Sequence, residues 1–157
     1  RQGAMPAIDR YMLTRTVTHL AEHPGHAMAL GFVCVNLSGM SLNDERFVAD
    51  AIALLREHRA IAARICLEIT ESVALYDIGS TRRFVDEMHA IGASIALDDF
   101  GAGYTSFAYL KDLPASLLKI DGQFIKGLAH GGKHQGIVRA IQQVGRELGM
   151  KCLAEWV

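Results

Sequence analysis

No stretch of this chain approaches the roughly 20 consecutive apolar residues that a membrane span needs. The opening Arg1-Gln2-Gly3-Ala4 lacks the shape of a secretory signal. Neither charge is in excess: 16 basic residues stand against 17 acidic ones, for a net charge of −1. That balance excludes an advertised nucleic-acid or membrane surface, so no DNA and no membrane contact are expected of this segment. Cysteine is scarce and odd in number, with Cys34, Cys66 and Cys152 each inside a short apolar run and no C-x-x-C spacing. Buried reduced thiols in a cytoplasmic protein fit this better than a disulfide or zinc site. No low-complexity linker and no second block of composition interrupts the chain, so a single domain over residues 1–157 is expected.

What is present is a sizeable core. Half of the 157 residues are apolar and 21% are charged, a globular composition. Short, β-branched apolar runs alternate with amphipathic runs of helical period. Strands are expected at 32–37, 65–69, 94–98, 117–121 and 151–155. Helices are expected from about Pro6 to Glu22, with Ile8, Met12 and Leu20 inward, and from Ser41 with Asp44 as in a capping box, burying Phe47, Ala51 and Leu55. Another starts near Ser80, buries Phe84, Met88 and Ile91, and stops at Gly92. A short one covers Thr105–Lys111, ended by Pro114. The last spans about Lys133–Leu148, with Ile137, Ile141, Val144 and Leu148 inward.

Regular alternation of this kind means a parallel sheet covered by helices. A barrel and an open doubly wound sheet both fit. No G-x-G-x-x-G follows the first strand, which weakens the dinucleotide-binding version of the latter. A complete (β/α)-barrel takes about 250 residues, and five strands fall short of that. The expectation is therefore a trimmed part of a longer chain, or a swapped or dimeric arrangement that covers the open edges.

The chemistry gathers at strand ends. Asn36, Glu68, the pair Asp98-Asp99, Lys119 and Glu155 each interrupt an otherwise apolar strand, where a charge is costly unless paired or metal-bound. Period-two alternation lets Asn36, Glu68, Asp98, Lys119 and Glu155 face one interior, and parallel strands would bring them to one C-terminal rim. Oxygen donors without His or Cys favour Mg²⁺ or Mn²⁺ over zinc. Two such ions suit in-line displacement at phosphorus, with a lysine to orient water or steady the anionic transition state. Plainer readings stand beside this one. Asp98-Asp99 could cap the next helix, Asp121 could be a turn or cap residue, and Lys119 with Glu68 could be a structural ion pair. His19/His23 and His130/His134, each one helical turn apart, lack a third ligand of zinc type. Tyr104, Phe107 and Tyr109 fit loop packing better than base stacking.

At these residues the sequence resembles a known family. Val35-Asn36-Leu37-Ser38, Leu67-Glu68-Ile69-Thr70-Glu71-Ser72, Asp98-Asp99-Phe100-Gly101-Ala102-Gly103-Tyr104-Thr105-Ser106, Leu118-Lys119-Ile120-Asp121 and Ala154-Glu155-Trp156-Val157 are similar, in order and separation, to consecutive signatures of the EAL domain. The resemblance implies a partial (β/α)8 TIM-like barrel and a bacterial enzyme that hydrolyses cyclic-di-GMP to linear pGpG. It implies two Mg²⁺ or Mn²⁺ ions held by Asn36, Glu68, Asp98 and Asp99. It further implies that Lys119 and Glu155 are catalytic, that Glu71 steadies the loop after Asp99, and that the protein forms a homodimer and is attached to sensory or GGDEF domains. The Glu-Ala-Leu motif and the downstream strands are absent from this stretch, so the piece alone is expected to be inactive or impaired. Trp156 stands where many members have Gly, and Ala102 where many have Thr. The alternative is a degenerate EAL domain that binds cyclic-di-GMP or a partner protein without hydrolysis.

Overall fold

The computed structural model describes residues 3–101, 107–128 and 132–156. Five strands form one sheet: β1 (Val33–Asn36), β2 (Ile65–Thr70), β3 (Ser94–Phe100), β4 (Leu117–Ile120) and β5 (Lys151–Ala154). All four pairings are parallel, and the strand order is the sequence order. A doubly wound sheet reverses its order at a switch point; this one does not, and its arrangement is that of a (β/α) barrel.

The two faces of the sheet do different work. Val35, Ile65, Leu67, Ile69, Ile95, Leu97, Leu118 and Ile120 point outward into the main core, against helix residues such as Leu13, Phe47, Leu55, Val85 and Met88. Each fully buried aliphatic or aromatic side chain of this kind contributes roughly 1.5–3 kcal/mol. On the other face Cys66, Ala96 and Leu117 form a small separate cluster. Small side chains there leave room above them for the polar residues at the strand ends.

The helices are α1 (Ala4–Glu22), α2 (Pro24–Ala29), α3 (Gly39–Leu42), α4 (Glu45–Glu57), α5 (Arg59–Ala62), α6 (Glu71–Tyr76), α7 (Ile78–Ile91), α8 (Gly122–Lys126) and α9 (Lys133–Glu147). A 3₁₀ turn covers Phe107–Asp112 in place of the helix expected from Thr105 to Lys111; Thr105 and Ser106 lie outside the described residues. Helix α7 agrees closely with expectation. The Asp77 side chain caps its start by accepting from Ser80 N, and Gly92, at φ +103°, ends it. The helix expected from Ser41 is instead two. Ser38 caps α3, and Asp44 caps α4 by accepting from Arg46 N and Phe47 N at 2.9 and 3.1 Å.

On α1 the buried stripe is Asp9, Leu13, Val17 and Leu20, while Ile8 and Met12 are exposed. The face is rotated by one residue from an apolar-only count because a buried carboxylate belongs to it. Asp9 Oδ2 accepts from Ser38 N at 2.8 Å and Ser41 Oγ at 2.6 Å, fastening the turn that follows Asn36. Asp9→Ala removes the acceptor of both bonds. It should lower stability by about 3 kcal/mol, read as a lower urea midpoint at unchanged m. On α9 a similar offset appears: Val138 and Ile141 are buried, whereas Ile137 and Leu148 are exposed.

Candidate active site

Parallel register sets the heights of the strand-end residues. Asn36 pairs with Glu68, and Thr70 pairs with Asp98. Lys119 is the centre of the group. Its Nζ lies 3.0 Å from Glu68 Oε2, 3.0 Å from Asp98 Oδ1 and 2.7 Å from Glu155 Oε1. Three strand-end carboxylates, from β2, β3 and just beyond β5, thus converge on one ammonium from β4. Burial alone would pull the Lys119 pKa down. Its hydrogen bonds to Glu155, Glu68 and Asp98 outweigh that, and the pKa stands above the ordinary lysine value. The ion pair of Lys119 with Glu68 is real, and both side chains are buried.

Two adjacent strand residues ordinarily point to opposite faces. Asp98 and Asp99 escape that rule through a bulge. Leu97 pairs with Leu118 and Phe100 with Ile120, so β3 spends two residues, Asp98 and Asp99, where β4 spends one, Lys119. Asp99 takes φ +53°, a conformation Asp tolerates better than most side chains. The result is that carboxylate oxygens of Asp98, Asp99 and Glu155 all lie within 4.8 Å of one another. Desolvation, then the charges of Asp98 and Asp121, push the Asp99 pKa above the usual carboxylate value.

The donor set tests well against a hard divalent cation. It is all oxygen, with spacing that one ion can span. Four carboxylates, those of Glu68, Asp98, Asp99 and Glu155, face one ammonium, which leaves negative charge for a cation to balance. Among the described residues no other group of three or more acids, histidines or cysteines has ligand atoms this close. His19 and His23 stack at 4.3 Å between ring centroids, and His19 Nε2 lies 3.3 Å from His26 Nδ1, on the surface far along the chain from the acids. His130 lies outside the described residues. The cysteines are free, but only Cys66 is buried as expected; Cys34 is exposed because it faces the open polar side of the sheet, Cys152 is half-buried, and desolvation pushes Cys66 up to about 11.

Asn36 is exposed on the same face of the sheet, next to Glu68 by register. Glu71, the first residue of α6, is buried. Its Oε2 accepts from Gly101 N at 3.1 Å and its Oε1 from Tyr109 OH at 2.7 Å, so one carboxylate holds both ends of the segment from 101 to 109. Desolvation and this bond push the Tyr109 phenol up. Tyr109→Phe removes the donor and should cost about 1–3 kcal/mol, again read as a shifted urea midpoint. Asp121 caps α8 by accepting from Gln123 N at 2.7 Å. Sequence reasoning missed Asp9. The available signal was an acid at the i position of the stripe Leu13, Val17 and Leu20, where a solvated residue has no place.

The chain matches the EAL domain family over residues 1–157. It belongs to the EAL domain family. It is 41% identical over 125 residues to the bifunctional diguanylate cyclase/cyclic di-GMP phosphodiesterase MucR of Pseudomonas aeruginosa, covering 80% of this chain and 18% of that protein. It is 36% identical over 154 residues to the cyclic di-GMP phosphodiesterase PdeB of Shewanella oneidensis, covering 98% of this chain and 18% of that protein. The solved PaMucR phosphodiesterase in complex with c-di-GMP superposes with a TM-score of 0.87 at 35% identity, covering 99% of this chain and 63% of that one. The chain thus spans under a fifth of these two curated relatives. Among the described residues of this EAL chain, no helix is long and apolar enough to cross a membrane.

Proposed function

We propose that the protein carrying this EAL chain is a cyclic-di-GMP phosphodiesterase that opens the cyclic dinucleotide to linear pGpG. The observation that carries the reading is the meeting of Glu68, Asp98 and Glu155 on Lys119 Nζ, with Asp99 brought alongside by the bulge. The names of MucR and PdeB, phosphodiesterases of that substrate, support it. Asn36, Glu68, Asp98 and Asp99 would hold two Mg²⁺ or Mn²⁺ ions. Bound there, such ions would supply Lewis-acid charge at the scissile phosphate and a water of lowered pKa.

The side chains' own part follows from where they sit. Lys119 Nζ would turn one of its three N–H donors, each of which now meets a carboxylate, to the attacking water and offset negative charge growing on the phosphate oxygens. Glu155 accepts the proton as the water oxygen bonds to phosphorus, the P–O3′ bond breaks, the departing 3′ oxygen takes up a proton from solvent water, and Glu155 returns its proton to solvent. Glu68 and Asp98 keep the Lys119 ammonium aimed at the mouth. Glu71 fixes the segment after the aspartates. The chain is read as one domain whose remaining barrel strands come from flanking sequence. Homodimerisation, a cytoplasmic location and attachment to sensory or GGDEF domains belong to the same proposal.

The test is incubation of the purified protein with cyclic-di-GMP and Mg²⁺, with products separated by chromatography. Linear pGpG that disappears on adding EDTA is the expected result. Tight binding of intact cyclic-di-GMP with no pGpG formed would replace hydrolysis by the receptor reading.

A further inference from the structure

Three histidines meet at the corner between α1 and α2. His19 lies in the last turn of α1, His23 follows that helix directly, and His26 lies in α2. Helical spacing relates only the first two. The turn at Pro24 brings in the third imidazole. The corner lies at the opposite end of the strands from the carboxylates. Arg64, the residue before β2, donates to the carbonyl oxygens of Leu30 and Gly31 at 3.1 and 3.2 Å, which sets the end of α2 beside the N-terminal ends of the strands. Asp98, Lys119 and Glu155 stand toward the C-terminal ends.

The rings hold one another. His23 Nδ1 donates to the carbonyl oxygen of His19 at 2.8 Å. Its ring stacks on that of His19, with centroids 4.3 Å apart and planes 28° from parallel. The His19 side chain is thereby restrained. His26 meets the other ring edge-on, at 5.5 Å and 85°. Its Nδ1 lies 3.3 Å from His19 Nε2. That is long for a hydrogen bond from a ring nitrogen, which ordinarily spans about 2.7–3.2 Å. It matches the edge of a zinc tetrahedron instead. With zinc–imidazole bonds of about 2.0–2.1 Å, two nitrogens at the tetrahedral angle lie about 3.3–3.4 Å apart. Imidazole donors suit zinc and its neighbours, whereas the all-oxygen rim suits hard ions.

We propose that His19 Nε2 and His26 Nδ1 chelate a Zn²⁺ ion, with water in its remaining positions. His23 is a positioning residue that keeps the His19 ring in place. The ion ties α2 to α1 on the face of a (β/α) barrel that serves stability rather than chemistry.

The test is calorimetric titration of the purified protein with Zn²⁺, with Mg²⁺ in excess to occupy the rim. None of the three histidines is buried, so alanine there leaves the core untouched. A saturable Zn²⁺ event is expected in the wild type. His19→Ala and His26→Ala should each abolish it, and His23→Ala should weaken it about tenfold. All three variants should keep the wild-type circular dichroism. Asp98→Asn, which alters the rim, should leave the event unchanged. Zn²⁺ should also raise the melting temperature of the wild type and not that of His26→Ala. No event in the wild type, an event that survives His26→Ala, or one lost in Asp98→Asn would overturn the site. Saturation only at millimolar Zn²⁺ would overturn it as well, by reducing the pair to an adventitious surface contact.

Discussion

Lys119→Met should abolish the proposed hydrolysis of cyclic-di-GMP, with a loss of at least ~10²-fold in kcat/KM, and destabilise the fold by about 3–5 kcal/mol. Methionine matches the reach of lysine but carries no charge. Glu68, buried, and Asp98 and Glu155, half-buried, would then face one another with no cation between them. Their mutual repulsion and the lost hydrogen bonds make this the most damaging single change on the rim. Pairing it with Glu68→Gln separates stability from chemistry. The double variant should recover part of the lost stability, because the buried charge is gone with its partner, while hydrolysis stays lost. Additive destabilisation in the double-mutant cycle would show that the two residues do not act as a pair.

The pH dependence of that penalty has a definite sign. Lys119 is raised in the folded state. The stability its charge supplies is complete below the ordinary lysine pKa and is lost only as pH rises through the higher folded value. The difference between wild type and Lys119→Met should therefore be flat from pH 7 to about pH 9 and shrink only beyond the ordinary lysine range. Urea melts across that range check it.

Asp99→Asn should have opposite effects on stability and on metal response. The Asp99 carboxyl is raised by desolvation and by Asp98 and Asp121. Its charged form therefore opposes folding above the folded pKa, and that cost vanishes only as pH falls below the ordinary carboxylate value. Asparagine removes the charge, keeps the shape and tolerates the same positive φ. In EDTA at pH 7 the variant should melt above the wild type. With Mn²⁺ at a hundredfold its dissociation constant, the wild type should gain about 2.7 kcal/mol, and the variant far less. A variant that gained as much as wild type from Mn²⁺ would remove Asp99 from the ion-binding set. The pattern is the usual exchange between a strained functional site and the stability of its scaffold.

The order of strands and the sides on which their residues fall were legible from period and composition. Phe47, Ala51 and Leu55 on α4, and Phe84, Met88 and Ile91 on α7, lie where apolar spacing puts them. Short helices such as α2, α5, α6 and α8 escaped because four to six residues carry no period to detect. Ile8 and Met12 were misplaced by the buried acid on their helix. In the candidate site, alternation explains how Glu68, Asp98 and Glu155 reach one lysine. It fails for Asp99, because simple alternation sends adjacent residues to opposite faces, and a bulge is a matter of pairing with a neighbouring strand that no single strand's sequence discloses.

The extra residue in β3 makes this stretch tolerant of substitution and intolerant of shortening. Replacing either aspartate subtracts one carboxylate and leaves the frame standing. Deleting one would restore plain alternation and slide Phe100 out of the greasy interior it occupies. The amide of Gly101 would move off the Glu71 oxygen it now meets. A library of single deletions should accordingly show a sharp minimum in expression at 98–99, deeper than that of any exchange at the same two positions.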